Sequence, residues 1–263
     1  LLRAAIAPIG LRPHFVLEAG VDAIDLEAFR RFMVAQGGGF QIDELWPGAK
    51  DLLASALVED ASGTLRPTLY GLMVFGRDPQ RYGATADLYT ACAAYLGNER
   101  SSGKVASASI CGPLGRQVVR SLDWFRDLRL LGRFATGQRK EEPLLPPEVL
   151  RESLVNALVH RDYAIMGRQV ALEVFRDRVE VTSPGGLPGR MTVERVRGGG
   201  ASRSRNEAMA NAVVVAGLTG RRGAGWLGMR RRMREFNGTE PELVSGAGTE
   251  GPLTRVTFRL DRP

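Results

Sequence analysis

Cysteine and histidine are almost absent from this chain of 263 residues, with two of each. Cys92 and Cys111 lack the paired spacing of a metal knuckle and are too few for a disulfide scaffold, so a reducing, cytoplasmic setting is expected. Aromatic residues are sparse, and no apolar run approaches the roughly 20 residues that a bilayer-spanning helix needs, which excludes a membrane partner of that kind. No secretory leader is visible; the chain begins at Leu1 rather than Met, as a fragment would. A phosphate-binding Gly-x-x-x-x-Gly-Lys-[Ser/Thr] loop is missing as well. The nearest stretch, "GNERSSGKV" from Gly97, has one residue too many between its glycines and Val105 where a hydroxyl must meet magnesium. That rules against a helicase motor.

What is present is an ordinary globular composition, 44 % hydrophobic, with enough length for one large domain or two ordinary ones. Lys and Arg outnumber Asp and Glu, 36 to 29, and the net charge of +7 permits contact with DNA or another polyanion without requiring it.

The first half reads as mixed. Leu26, Phe29 and Met33 fall at helical spacing after Asp25, a capping residue, and "KDLLASALVED" (50–60) offers a second short helix. With the turn "SGTLRP" and the apolar "TLYGLMVFG", these suggest a winged-helix-like module. Residues 87–97 read as a strand, and 115–134 as an amphipathic helix built on Val119, Leu122, Phe125 and Leu128. The polar, then proline-rich "TGQRKEEPLLPPE" (136–148) marks the expected boundary between a region 1–138 and a second domain 139–263. After it come a helix from Pro147, a hairpin with alternating Val170, Leu172, Val174 and Val179, Val181, the loop "SPGGLPG", two helices separated by a glycine loop, and a last strand with Val256, Phe258 and Leu260. The fold class expected is therefore α+β: a mainly helical N-terminal region, then a two-layer sandwich of helices on a mostly antiparallel sheet.

One helix carries a contradiction. In "LRESLVNALVHRDY" Leu150, Leu154, Ala157 and Leu158 mark a buried face that Val155 and Val159 widen, yet Glu152, Asn156 and His160 recur four apart as one polar stripe. A carboxylate and an amide one turn apart can hold hydrated magnesium and aim a water at a phosphate; the same pair can equally cap or salt-bridge nearby loops. The loops "SPGGLPG" after a strand and "GAGWLGM" before a helix add backbone N–H groups suited to anions.

Taken in order, "LRESLVNALVHRDY", "RVEVTSPGGLPG", "SRNEAMANAVVVAGL" and "GAGWLGMRRRM" resemble the C-terminal domain of a bacterial family of transcriptional regulators labelled RecG-like or Schlafen AlbA-domain proteins. That domain is similar to the Bergerat-fold (GHKL-like) ATPases, the fold of gyrase B, MutL and histidine kinases. "RPTLYGLMVFGRDPQRY" also looks like this family's middle region, while the AlbA-like nucleic-acid-binding domain that opens full-length members is not matched. The resemblance implies ATP and Mg2+ as cofactors. It implies Glu152 as the water-activating residue, Asn156 as metal ligand, Gly185 and Gly186 at the adenine side, Gly223 and Gly225 at the phosphates, and Arg205 with Asn206 as a regulator-family signature preceded by Ser202. Two departures stand out. Ser183 occupies the place of an adenine-binding Asp, and Ala224 and Trp226 replace the usual pair in the second glycine loop. The expectation is a nucleotide-binding regulatory protein with weak or no hydrolysis; the alternative is a non-catalytic DNA-binding or oligomerisation module that keeps an ATPase-like fold as scaffold. Expected partners are a nucleotide, DNA and further copies of the chain.

Overall fold

The computed structural model of the protein describes residues 16, 18–35, 56–60, 62–128, 143–189, 191–199, 204–219, 225–249 and 251–260. Among them the chain runs α1 (Leu26–Ala35), β1 (Leu57–Glu59), β2 (Leu65–Pro67), α2 (Leu69–Phe75), β3 (Thr90–Tyr95), β4 (Lys104–Ile110) and α3 (Leu114–Asp127). It continues through α4 (Pro147–Val159), β5 (Val170–Val174), β6 (Arg178–Pro184), α5 (Val193–Arg197), α6 (Glu207–Val215), α7 (Gly225–Asn237), β7 (Glu242–Gly248) and β8 (Gly251–Arg259).

Period-two alternation builds one six-stranded sheet in the order β4-β3-β5-β6-β8-β7. Val170, Leu172 and Val174 of β5, Val179 and Val181 of β6 and Phe258 of β8 point to one face and are buried. The intervening Glu173, Glu180, Arg255 and Arg259 form ion pairs on the other face: Arg100 grips Glu173 at 2.7 Å, and Arg178 reaches Glu180 at 2.6 Å. Every pairing is antiparallel except β3 with β5, which is parallel and so requires a crossover. Helices α3 and α4 lie within that crossover. The expected division between residues 138 and 139 falls there too, outside the described residues, and a single sheet continues on both sides of it.

A smaller cluster gathers α1, α2 and the β1-β2 ribbon around Phe29, Leu72 and Phe75, with the rings of Phe29 and Phe75 edge to face at 5.0 Å. Asp25 caps α1 as expected, accepting from the amides of Glu27 and Ala28. The second short helix does not form over residues 57–59, which are strand; residues 50–55 lie outside the described ones. The reason is the turn that follows. Asp60 accepts from the Ser62 hydroxyl, the amides of Ser62 and Thr64 and the Arg66 guanidinium, and this reverses the chain into an antiparallel ribbon. In α3 the buried face runs through Val118 and Phe125 rather than Val119, which is 48 % exposed.

Helix α4 sits at the centre, packed against α3, α6, α7 and the sheet. Leu150 and Leu154 are fully enclosed there. Leu154→Ala should lower stability by about 2–5 kcal/mol in urea unfolding; a loss below about 1 kcal/mol would show that α4 does not carry the core.

Candidate functional site

Helix α4 opens with Pro147 in its first turn, where a missing N–H costs little, and its hydrogen-bonded run ends with the His160 amide donating to Asn156 O at 2.9 Å. The carbonyls of Ala157, Leu158 and Val159 lie beyond that run, and three different side chains satisfy them. The Ser183 hydroxyl donates to Ala157 O at 2.6 Å, the Tyr163 hydroxyl to Leu158 O at 3.0 Å, and Asn206 Nδ2 to Val159 O at 2.7 Å and Arg161 O at 3.0 Å. Arg161, 1 % exposed, donates to the carbonyls of Asp162, Ile165 and Arg168 and so folds the following loop around itself.

Beyond its exposed Pro147, Glu148 and Arg151, α4 is buried except along the stripe Glu152, Asn156 and His160, whose members are half-buried and line a cavity of about 660 Å³. Ser183, Gly186, Gly225 and Trp226 line the same cavity. At one end Asn156 Nδ2 donates to Glu152 Oε1 at 3.3 Å, and the Thr219 hydroxyl donates to Glu152 Oε2 at 3.2 Å. Gly225 opens α7 against this pair: a Cβ there would stand 3.0 Å from Glu152 Oε1. Trp226 packs on the core while bordering the cavity, and its buried indole nitrogen has no partner among the described residues. Gly223, Ala224 and Ser202 lie outside the described residues.

The other end is built around the β6 turn. Gly185 has φ +103°, and a Cβ on it would meet Asp162 Cβ at 2.6 Å, so only glycine fits. Gly186, not Gly185, reaches the cavity. Arg205 and Asn206, expected at the nucleotide site, are not among the residues that line it. Arg205 pairs with Asp162 and donates to Gly186 O at 3.0 Å, while Asn206 is 3 % exposed and spends both donors on the end of α4. The signature is a fastening. Thr219 is the residue that sequence reasoning missed: a lone threonine after a helix carries no pattern, and only the fold brings it to Glu152.

Burial, reinforced by the Arg205 charge, lowers the His160 pKa to about 4, so the imidazole is neutral near pH 7. Its Nδ1 has no hydrogen-bond partner among the described residues. Cys92, whose thiol burial pushes up to about 12, is no nucleophile. In α7, Arg230 and Arg234 converge on Glu240, so part of the basic run is neutralised within the chain.

Comparison with known proteins follows the same lines. Residues 167–253 match the family described as "Putative ATP-dependent DNA helicase recG C-terminal". This part of the chain is ATPase-like. The match takes in β5, β6, α5–α7 and β7, and it begins after α4, so Glu152 and Asn156 lie outside it. Among solved structures the chain is similar to the DIP2311 protein from Corynebacterium diphtheriae, with a TM-score of 0.61 and 20 % identity over 95 % of this chain and 47 % of that one. This likeness is one of fold, and the chain spans about half the length of that relative. No curated protein matches. No helix among the described residues is long and apolar enough to cross a membrane.

Two measurements check the ATPase-like domain's construction. Asn206→Ala leaves two buried carbonyls unpaired and should cost about 1–3 kcal/mol in urea unfolding; an unchanged midpoint would mean that those carbonyls find other donors. For His160 the folded pKa lies below the ordinary value of 6.5, so the unfolded chain takes up the proton first. The stability that depends on neutral His160 is therefore complete above about pH 6.5 and drains away as pH falls towards 4, at up to about 1.4 kcal/mol per pH unit. His160→Gln should flatten that slope, and an undiminished slope would assign it to other groups.

Proposed function

We propose that the chain is a nucleotide-binding regulatory protein that takes ATP with magnesium and hydrolyses it weakly or not at all. The observation that carries this reading is the convergence of Glu152, Asn156, Ser183, Gly186 and Gly225 on one cavity of about 660 Å³, inside the size range of small-molecule sites. The polar stripe from Glu152 to His160, at the end of α4, spans eight residue steps, about 12 Å, which is the scale of a nucleotide laid lengthwise.

The residues fit the implied cofactors. Asn156 spends Nδ2 on Glu152, which leaves Oδ1 to ligate magnesium, and Gly225 keeps open the space beside Glu152 that a Cβ would fill. Magnesium, when bound, supplies charge neutralisation for the phosphates. The α7 N-terminus presents its positive end to the same place. At the base end, Ser183 has given its only proton to Ala157 O and offers lone pairs alone. Such an acceptor takes a hydrogen bond from the exocyclic amine of adenine and repels the carbonyl that guanine carries there. Hydrolysis is disfavoured because both Glu152 oxygens already accept hydrogen bonds from Asn156 and Thr219, so the carboxylate is held by its neighbours rather than free to order a water.

Regulation through this site would act on the α5–α6 connection, which Arg205 and Asn206 fasten at the base end of the cavity. Ligand contacts that bias such a fastening between two arrangements are a recognised switch. The resemblance to transcriptional regulators makes DNA the natural output, with the α1, α2 and β1-β2 unit as the winged-helix-like reader.

Calorimetry with ATP, GTP and ADP, with and without magnesium, tests the reading. Magnesium-dependent binding of ATP in preference to GTP is expected, and Asn156→Ala should weaken it by about tenfold or more, or about 1.4 kcal/mol. Absence of heat at millimolar ATP, or equal affinity with and without magnesium, would overturn it.

A further inference from the structure

The two edges of the six-stranded sheet are treated differently by the chain. At β7, the helix α5 lies alongside, and Arg197 donates from Nη2 to Leu243 O at 3.2 Å, so a side chain occupies an outward carbonyl. Among the described residues β4 has no such cover, and its only strand partner is β3. An uncovered edge exposes a row of unpaired N–H and C=O groups and is normally blunted by charge, proline or a bulge. The β4 sequence, "KVASASI", has one charge, Lys104, and no proline. Its single irregularity lies at the start, where the register shifts between Ala94 and Tyr95 and Val105 is left over. Beyond that bulge Ala106–Ile110 pairs regularly with β3, and Lys104 stands outside the flat stretch.

We infer that the uncovered β4 edge pairs antiparallel with the β4 of a second copy of this chain, joining two six-stranded sheets across a twofold axis at Ala108. The occupant follows from the strand's self-complementarity. Centred on Ala108, the pairing sets Ala108 against Ala108, Ser107 against Ser109, and Ala106 against Ile110. Small side chains face each other at the axis, hydroxyls face hydroxyls on one side of the sheet, and a methyl faces a large aliphatic group on the other. No charge meets a like charge, because Lys104 falls beyond the paired stretch. The two faces agree with the fold. Ser107 lies opposite Ala93 and Ser109 opposite Ala91, on the solvated face of the sheet, where both serines are exposed. Ala106, Ala108 and Ile110 lie on the helix-covered face, half-buried at the rim of the core. A second copy extends that core over their exposed halves.

The test is sedimentation of the full 263-residue chain over a concentration series, with two double variants confined to the solvated face. Wild type should pass from monomer to dimer in the micromolar range. Ser107→Glu with Ser109→Glu places like charges opposite each other across the axis and should raise the dissociation constant by roughly tenfold or more. Ser107→Lys with Ser109→Glu places opposite charges there and should restore the dimer, with circular dichroism confirming that both variants are folded. A wild type that stays monomeric throughout overturns the inference. So does a dimer that the two variants leave equally intact, since its interface is then elsewhere.

Discussion

The buried end of α4 is the constraint on which the rest of the structure depends. A helix that stops inside a protein leaves carbonyls that water does not reach, and each one unpaired costs more than a surface hydrogen bond returns. Here the carbonyls of Ala157, Leu158 and Val159 are met by Ser183 from β6, Tyr163 from the adjoining loop and Asn206 from the head of α6. Three parts of the chain are thereby pinned to one helix end. Arg161 completes the arrangement by collecting three loop carbonyls around a guanidinium that is nearly sealed from solvent.

With that end secured, the cavity follows from packing. Helix α4 is packed by the sheet and by α3, α6 and α7; Glu148 and Arg151 take its solvated side, and its polar stripe opens onto the space between α4, the β6 turn and α7. The same enclosure sets the electrostatics. It keeps His160 neutral, and it makes the partners of Glu152, namely Asn156 and Thr219, the groups that decide where its carboxylate points. Opposite the helices, Glu173 and Glu180 sit under arginines on the open face of the sheet, so the two faces separate apolar packing from ion pairing.

Much of this was legible in the residues. Alternation placed β5, β6 and β8, and helical spacing placed α1, α4, α6 and α7, because each of these signals is local. Other parts were not. Strand β7 carries too many small residues to show a clear alternation, and β4 hides in a stretch of alanine and serine whose edge position leaves it without a strong apolar face. Residues 57–59 carry helix-forming leucines and glutamate, yet the Asp60 turn imposes a hairpin; a turn held by a side chain outweighs a weak propensity. In α3, a shift of one residue moved the buried face from Val119 to Val118, since a run of two valines does not say which one faces in.

The sequence by itself determined the polar stripe on a buried helix, the glycines at its two flanks and the layered α+β class, because periodicity and backbone permissiveness act over a few residues. Only the tertiary structure decided what those residues are for. It brought Thr219 to Glu152 across a long stretch of chain, tied Asn206 to the end of α4 and Arg205 to the β6 turn, and spent the single proton of Ser183 on α4. The reason is that a polar group's role is set by which partner claims its donors and acceptors, and here the partners arrive from distant elements that only the folded sheet and its crossover bring into reach.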